Sequence, residues 1–487
     1  MRRAALLLLA VATAALAARA PAQDPGTTLT LDDAIQLAFR RNRDLKVASY
    51  YPGIARANLL VARGQFDPEL VLTRSSSRQL TQELPGQFSN YRTDSFGATL
   101  QGELPIGTQL GVTENSTAQS DAFIGLPKTY DTFAGVSVTQ PLLKGFGLGA
   151  NLVNVRIQKA NRSISELTYR QSAIDTVWNT VVAYSNLQLA HDQLDAVLRE
   201  QALAEQQLDE NEKRHRVGQA SQSDVVTSRS YAAIFQDPIL QAERQVRDAQ
   251  NTLRNIIGED TFFEDEPLFT LVPMAVPEVR IDRKADLEQA LRMRPDYEQQ
   301  RLAIVRNRAS EAYAANSLLP QVNFVGNYGY NGVASSFSAS RAQVDARMNP
   351  AYGAGLTVTV PLAFAVGRGN LRSARLQREQ AEAALKDLQA NIALSVATAE
   401  GQIETARKRV VADQAALELA KRALEDEVKK QKAGMSSTLA VVQQEQQLAQ
   451  DESSISNALA AERLAVANYD HALGTTLERY RITLAPE

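Results

Sequence analysis

The stretch VSVTQPLLKGFGLGANLVNVR, residues 136–156, changes character twice. Val136 and Val138 alternate with Ser137 and Thr139, the period of two that sends successive side chains to opposite faces of a strand. Pro141 ends that run, Gly145, Gly147 and Gly149 follow, and a polar, helix-compatible run begins. The same order returns in GLTVTVPLAFAVGRGNLRSAR, residues 355–375, with Pro361, Gly367 and Gly369. A strand is thus predicted to feed a long helix through a proline and a glycine-rich hinge, twice.

Other segments pair as well. KRHRVGQASQSDVVTSRS (213–230) aligns with KKQKAGMSSTLAVVQQEQ (429–446), matching Gly218 to Gly434 and Ser221 to Ser437. Ile257-Gly258 and Leu473-Gly474 close the two halves, and LTLDDAIQLAFRRNRDL (29–45) resembles KADLEQALRMRPDY (284–297). An internal duplication follows: repeat 1 over 23–258, an acidic, proline-containing linker over 259–281, repeat 2 over 282–474 and a C-terminal tail over 475–487. Residues 1–22 read as a secretory signal, with Arg2 and Arg3 before the apolar run AALLLLAVATAALA and cleavage after Ala22. The exported chain has no cysteine, hence no disulfide and no thiol for a lipid anchor. Beyond the signal no apolar run of about 18 residues occurs, so any crossing of a membrane must use strands.

Residues 151–216 contain neither proline nor glycine, enough for a helix of about 100 Å. Leu187, Ala190, Leu194, Val197, Gln201, Ala204 and Leu208 form a seam at alternating spacings of three and four, and Val396 through Leu424 form another. Gly218 and Gly434 read as reversals, with Ser221 or Ser223 capping the first returning helix, about 221–257, and Asp237-Pro238 breaking it. Strands are predicted at about 66–76, 94–104, 108–118 and 131–141 in repeat 1, and at 321–330 and 355–360 in repeat 2, the last two joined by a polar loop. Runs of about ten residues with period two are the mark of transmembrane β-barrels.

Little points to chemistry. The 52 Lys and Arg against 55 Asp and Glu leave no basic excess for nucleic acid. His191, His215 and His471 are scattered without metal-ligand spacing, and KGFGLGAN lacks the Lys-Ser/Thr ending of a phosphate loop. The sequence implies no metal, no cofactor and no enzyme. The two readings left are a transport channel and a non-conducting periplasmic coiled-coil scaffold; alternating strands of membrane-spanning length favour the channel.

The opening TLTLDDAIQLAFRRN, the duplicated strand–Pro–Leu–glycine–helix segment and the duplicated hairpin turns resemble the outer-membrane efflux protein family, the TolC-like channels. The resemblance covers nearly the whole mature chain. It implies an α+β membrane protein, a homotrimer whose strands close one outer-membrane β-barrel continuous with a long periplasmic α-helical barrel. The implied role is the exit duct of a tripartite efflux pump or a type I secretion system, in contact with outer-membrane lipid, a periplasmic adaptor and an inner-membrane transporter. Adaptor contact then falls on Val217, Gly218 and Gln219 and on Ala433, Gly434 and Met435. Counting from the matched glycines puts the periplasmic gate carboxylate on Asp224, whereas the second-repeat positions hold Ala440 and Gln443. The family usually gives four strands per protomer. The short turn Leu104-Pro105-Ile106-Gly107, between polar loops at about 77–93 and 119–130, predicts six here and eighteen in a trimer.

Overall fold

The computed structural model describes residues 28–121, 126–259, 270–273 and 276–484. The predicted signal at 1–22 lies outside them. In the first half the elements are β1 (Thr28–Leu29), α1 (Leu31–Arg41), α2 (Arg43–Ala48), α3 (Tyr50–Gly64), β2 (Glu69–Leu84), β3 (Gln87–Glu103), β4 (Gln109–Asp121), β5 (Leu126–Pro141), α4 (Leu148–Asn151), α5 (Val153–Arg216), α6 (Gln222–Ala233) and α7 (Gln236–Ile257). In the second they are β6 (Thr270–Leu271), α8 (Arg283–Met293), α9 (Pro295–Ser317), β7 (Gln321–Ala334), α10 (Phe337–Asp345), β8 (Asn349–Thr359), α11 (Ala365–Lys432), α12 (Thr438–Leu473) and α13 (Thr476–Arg479). They divide into two compact units, described separately. One draws on Met1–Asn42, Asn179–Glu278 and Thr405–Val466, the other on Arg43–Trp178, Val279–Glu404 and Ala467–Glu487.

The first unit is helical. Its core joins Ala34 and Ala38 of α1, Tyr184 and Leu187 of α5, and Leu253 and Ile257 of α7. The segment read as a plain linker contributes β6, which pairs in parallel with β1. The Tyr184 hydroxyl holds that pair, lying 2.8 Å from the Leu29 carbonyl oxygen and 2.7 Å from that of Val272. A capping box starts α1: the Asp33 amide donates to Thr30 Oγ1 and the Thr30 amide to the Asp33 carboxylate. The α5 seam faces inward, with Leu187, Ala190 and Ala204 all buried.

The second unit carries a six-stranded antiparallel sheet in the order β2-β3-β4-β5-β7-β8. The predicted inner hairpin, β3 and β4, lies within it, and Leu104 and Thr108 close its turn with Gly107 at φ 90°. Strands β2 and β3 pair almost to the tip at Pro85-Gly86, so residues 77–93, predicted as a loop, are mostly ladder. Polar residues there sit in cross-strand pairs, such as Ser77 with Thr93, and side chains of this kind suit a strand as well as a loop. The predicted polar loop between β7 and β8 contains α10. Its Gln343 side chain donates to and accepts from the Val333 backbone at 3.0 Å, satisfying groups beyond the end of the β7–β8 pairing. Below the sheet α9 lies along α11, tied by Arg378 to Glu311 at 2.7 Å and by Arg308 to Glu382 at 3.3 Å.

Four helices end in one motif. Gly218, Gly434, Gly258 and Gly474 take φ of 77°, 75°, 75° and 72°. The residue after each donates back to a carbonyl five residues earlier, as Gln219 does to Arg214 and Met435 to Lys430. Their surroundings differ. A Cβ on Gly218 would meet open space, whereas one on Gly258 would overlap the Arg41 carbonyl. Gly218→Ala is therefore expected to cost about 1 kcal/mol from backbone strain alone, and Gly258→Ala clearly more because a main-chain atom must also move. Thermal melts of the two purified variants check this ordering; equal losses would contradict it.

Candidate functional site

The first candidate region is the pair of hairpin turns, both in the helical unit. At the α5–α6 turn Ser221 is the N-cap. Its Oγ accepts from the Asp224 amide at 3.2 Å, and Asp224 Oδ2 accepts from the Ser221 amide at 2.9 Å and the Ser221 hydroxyl at 2.7 Å. Asp224 thus closes a capping box, and the Ser221 hydroxyl holds its carboxyl below the usual carboxylate range. At the α11–α12 turn Ser437 Oγ accepts from the Ala440 amide at 3.3 Å, and no carboxylate returns the bond. Buried polar pairs brace both turns: Asn211 donates to Ser228 at 2.7 Å, and Gln431 to Thr438 at 3.3 Å. Val217 and Met435 stand out at the tips, 69% and 75% exposed. Each turn follows a basic helix end: Lys213, Arg214 and Arg216 in one, Lys429, Lys430 and Lys432 in the other. Sequence reasoning aligned KRHRVG with KKQKAG without using their charge, which was the available signal. These cations face the carbonyl end of each helix, where positive charge is favoured.

Further along the same helices, Glu445 of α12 is half-buried, and its Oε2 finds no hydrogen-bond partner. Burial, helped by Glu210 of α5, raises its pKa to about 7. Tyr231 of α6 and Glu200 of α5 belong to the same cluster, and burial pushes both of them up as well.

The second region is the sheet with its junctions to the helices. Pro141 does not end pairing as predicted: it stands opposite Asn323, and the next amide, Leu142, still donates to Val322 at 2.7 Å. Amides alternate sides along a strand. The N–H that Pro141 lacks therefore points toward β4, whose pairing has already ended at Gln109 opposite Thr139. Gly145 and Gly147 take φ of 81° and 85°, and the Asn151 side chain donates to both their carbonyls, at 2.8 and 3.0 Å. Gly149 lies in α4. The second junction differs from its predicted hinge. Gly367 and Gly369 fall inside α11, and the left-handed residue after Pro361 is Phe364, φ 52°. Gly367 instead permits close packing, since a Cβ there would meet Leu318 at 2.9 Å.

The sheet has two chemical faces. Leu70, Leu100, Val112, Val136, Tyr328 and Tyr352 stand opposite one another across all six strands. They are between 48% and 78% exposed. Along β7 the same face shows Val322, Phe324, Gly326, Tyr328 and Tyr330. Nine residues span ~30 Å of strand, close to the ~25 Å apolar band of outer-membrane barrels once strands tilt by about 40°. The opposite face is polar and without cations over the same strands, its charges being acidic: Glu69, Glu103 and Asp131. It includes Thr99, Gln101, Thr113 and Ser137, which help to line a concavity of 540 Å³. Strands β2 and β8 form open edges. Among the described residues, no helix is long and apolar enough to cross a membrane.

A sheet with one exposed apolar face of this height has the pattern of outer-membrane strands. The pattern of the outer membrane efflux protein family matches residues 106–259 and 287–475, well over half the chain, which belongs to that family. The fold is similar to several solved channels. The outer-membrane channel OprN superposes with TM-score 0.70 at 17% identity, over 91% of this chain and 90% of its own. CmeC of Campylobacter jejuni gives 0.67 at 16%, over 92% and 86%, and MtrE of Neisseria gonorrhoeae in its open state 0.68 at 18%, over 92% and 89%. No protein of curated function matches the chain by sequence.

Glu445 makes the helical unit sensitive to pH. Its folded pKa, about 7, lies above the ordinary 4.5, so between those values the folded state holds the proton more tightly than the unfolded chain. Stability then falls as pH rises through that window and levels off above it. The slope is at most about 1.4 kcal/mol per pH unit, lessened by the group's partial exposure. Glu445→Gln is expected to remove this slope and to melt higher than the native protein at pH 8. A melting profile from pH 5 to 8 with equal slopes in the two proteins would show that Glu445 does not titrate there.

Proposed function

We propose that the chain is the outer-membrane exit duct of a tripartite efflux pump or type I secretion system. It is exported by the signal at 1–22, assembles as a homotrimer and conducts cargo passively from an inner-membrane transporter through a periplasmic adaptor. One observation carries this reading: the six-stranded sheet exposes an apolar band on one face, a polar surface on the other, and two unpaired edges. Open edges are not tolerated in lipid, and six strands are too few to enclose a water-filled lumen. Three copies joined edge to edge make eighteen strands, apolar outside and polar within. Exposed Val411 and Leu419 on α11 also suit coverage by a neighbouring protomer. A scaffold without conduction has no use for such a sheet.

The adaptor reads the two tips, Val217, Gly218, Gln219 and Ala433, Gly434, Met435, with an apolar contact flanked by acidic groups facing the basic helix ends. Replacing Gly218 and Gly434 together by valine forces β-branched residues into left-handed backbone. The expected outcome is loss of export while the assembled protein still reaches the outer membrane; normal export would count against docking at the tips.

Asp224, in three copies near the inner end of the duct, gives the pore its cation preference. Without carboxylates at Ala440 and Gln443, trivalent cations should not block strongly. Ion selectivity in planar bilayers separates charge from capping. Asp224→Asn should lower cation preference, and Ser221→Ala, which breaks the cap but keeps the charge, should not. If both variants shift it equally, the effect is structural.

A further inference from the structure

Above its apolar band, the outward face of the sheet turns abruptly basic. Arg74 stands opposite Phe96, Ser76 opposite Asp94, and Arg92 opposite Ser120. With Lys128 and Tyr130 of β5 and Phe337 of α10 they surround a cavity of 590 Å³. Asp94 is the carboxylate among them. It accepts from Ser76 at 2.7 Å and from Arg92 at 3.1 Å, with Lys128 Nζ at 4.0 Å. Arg74 makes no ion pair with a described residue. Three cations against one carboxylate leave a net charge of +2 on the cavity wall. Lys128 also lies over the Tyr130 ring, 5.0 Å from its centroid.

Basic side chains on an outer strand usually mean only a solvated surface. Two features argue otherwise. First, the same stretches carry no basic residue on the opposite face, where Ser75, Ser77, Thr93, Ser95, Thr117 and Thr129 stand. Solubility alone does not sort charge by face, and attraction of cargo would place it on the inner one. Second, the cations begin where the apolar band ends, on the same side: Leu70 and Leu72 precede Arg74 on β2, and Leu100, Ala98 and Phe96 precede Asp94 and Arg92 on β3. That is the depth at which acyl chains give way to headgroups, and Phe96, Tyr130 and Phe337 supply the aromatic side chains typical of that boundary.

We propose that this cavity binds the phosphate-bearing headgroup of an outer-leaflet lipid whose acyl chains lie against the apolar band. Arg74, Arg92 and Lys128 engage the phosphate, and Asp94 holds Arg92 and Lys128 apart. This rests on the sheet's apolar face meeting lipid, as proposed above. The test uses the full-length assembly in nonionic detergent, measuring retention of diphosphorylated lipid A, of phosphatidylcholine and of inorganic phosphate by native mass spectrometry. Each basic residue facing an anionic headgroup contributes about fivefold. The triple substitution Arg74→Gln, Arg92→Gln, Lys128→Gln should therefore weaken lipid A binding by about a hundredfold, and Asp94→Asn should strengthen it. Phosphatidylcholine should be retained poorly by native and variant proteins alike. Unchanged lipid A retention in the triple variant overturns the proposal, and so does inorganic phosphate binding as tightly as lipid A, which would make this a free-anion site. Planar-bilayer conductance separates this from the channel reading: a triple variant that conducts normally but loses the lipid supports the site, whereas a native protein that never conducts defeats the channel reading itself.

Discussion

The sheet-bearing unit is constrained most by the backbone groups left open at its two strand edges. A strand edge in water can be solvated or covered, but an edge in hydrocarbon has no such recourse. Strands β2 and β8 present such edges, and a band of leucine, valine and tyrosine runs between them across every strand. In the proposed assembly, edge-to-edge union with further copies pairs the edges and leaves the band to lipid. The helices inherit this requirement, because α5 and α11 follow closely after β5 and β8. Their composition fits. Alanine at many seam positions permits close backbone approach, and apolar residues remain exposed elsewhere on the same helices, as a helix needs when it packs on more than one side.

Much of this was legible in the sequence because the features that carry it are local. Left-handed helix ends favour glycine, so Gly218 and Gly434 marked the two hairpin reversals, and Gly258 and Gly474 the helix ends that close the two halves. The inner hairpin was legible because Leu104-Pro105-Ile106-Gly107 is a turn wherever it stands. What could not be read depends on distant partners. Residues 77–93 look like a polar loop, and only pairing of β2 with β3 makes them strand. Helix α10 is short and polar; what fixes it is a hydrogen bond between Ser340 and Thr132, 2.7 Å apart and both buried, together with an ion pair between Arg341 and Glu114. Within the segment read as a linker, 259–281, β6 could not be foreseen for the same reason, since it exists only through its partner β1.

The junctions show where a repeated motif misleads. Both halves read strand, proline, glycines, helix, and both do turn from strand to helix. The first uses Gly145 and Gly147 in left-handed conformations. The second puts its glycines inside the helix and lets Phe364 make the turn, a costly conformation for an aromatic residue. Glycine is ambiguous in sequence because it serves two purposes, unusual φ and close approach. Gly367 serves the second, against Leu318.

The hairpin tips divide the two halves more finely. Their backbones are alike, because the same pair of hydrogen bonds closes each turn. Their side chains are free to differ, since the tips face outward. The first returning helix begins with a reciprocal capping box and a carboxylate in its first turn. The second begins with a single bond to Ser437 and no acidic residue in its first turn. A missing capping carboxylate is worth roughly 0.3–1 kcal/mol at a helix start, so the start of α12 is the less firmly held of the two. Within the helical unit, the half without the carboxylate also contributes Glu445, whose charge is least welcome in the folded state. Both features weaken the second hairpin rather than the first. The two turns share one backbone geometry, and it is the side chains at the following helix starts that differ.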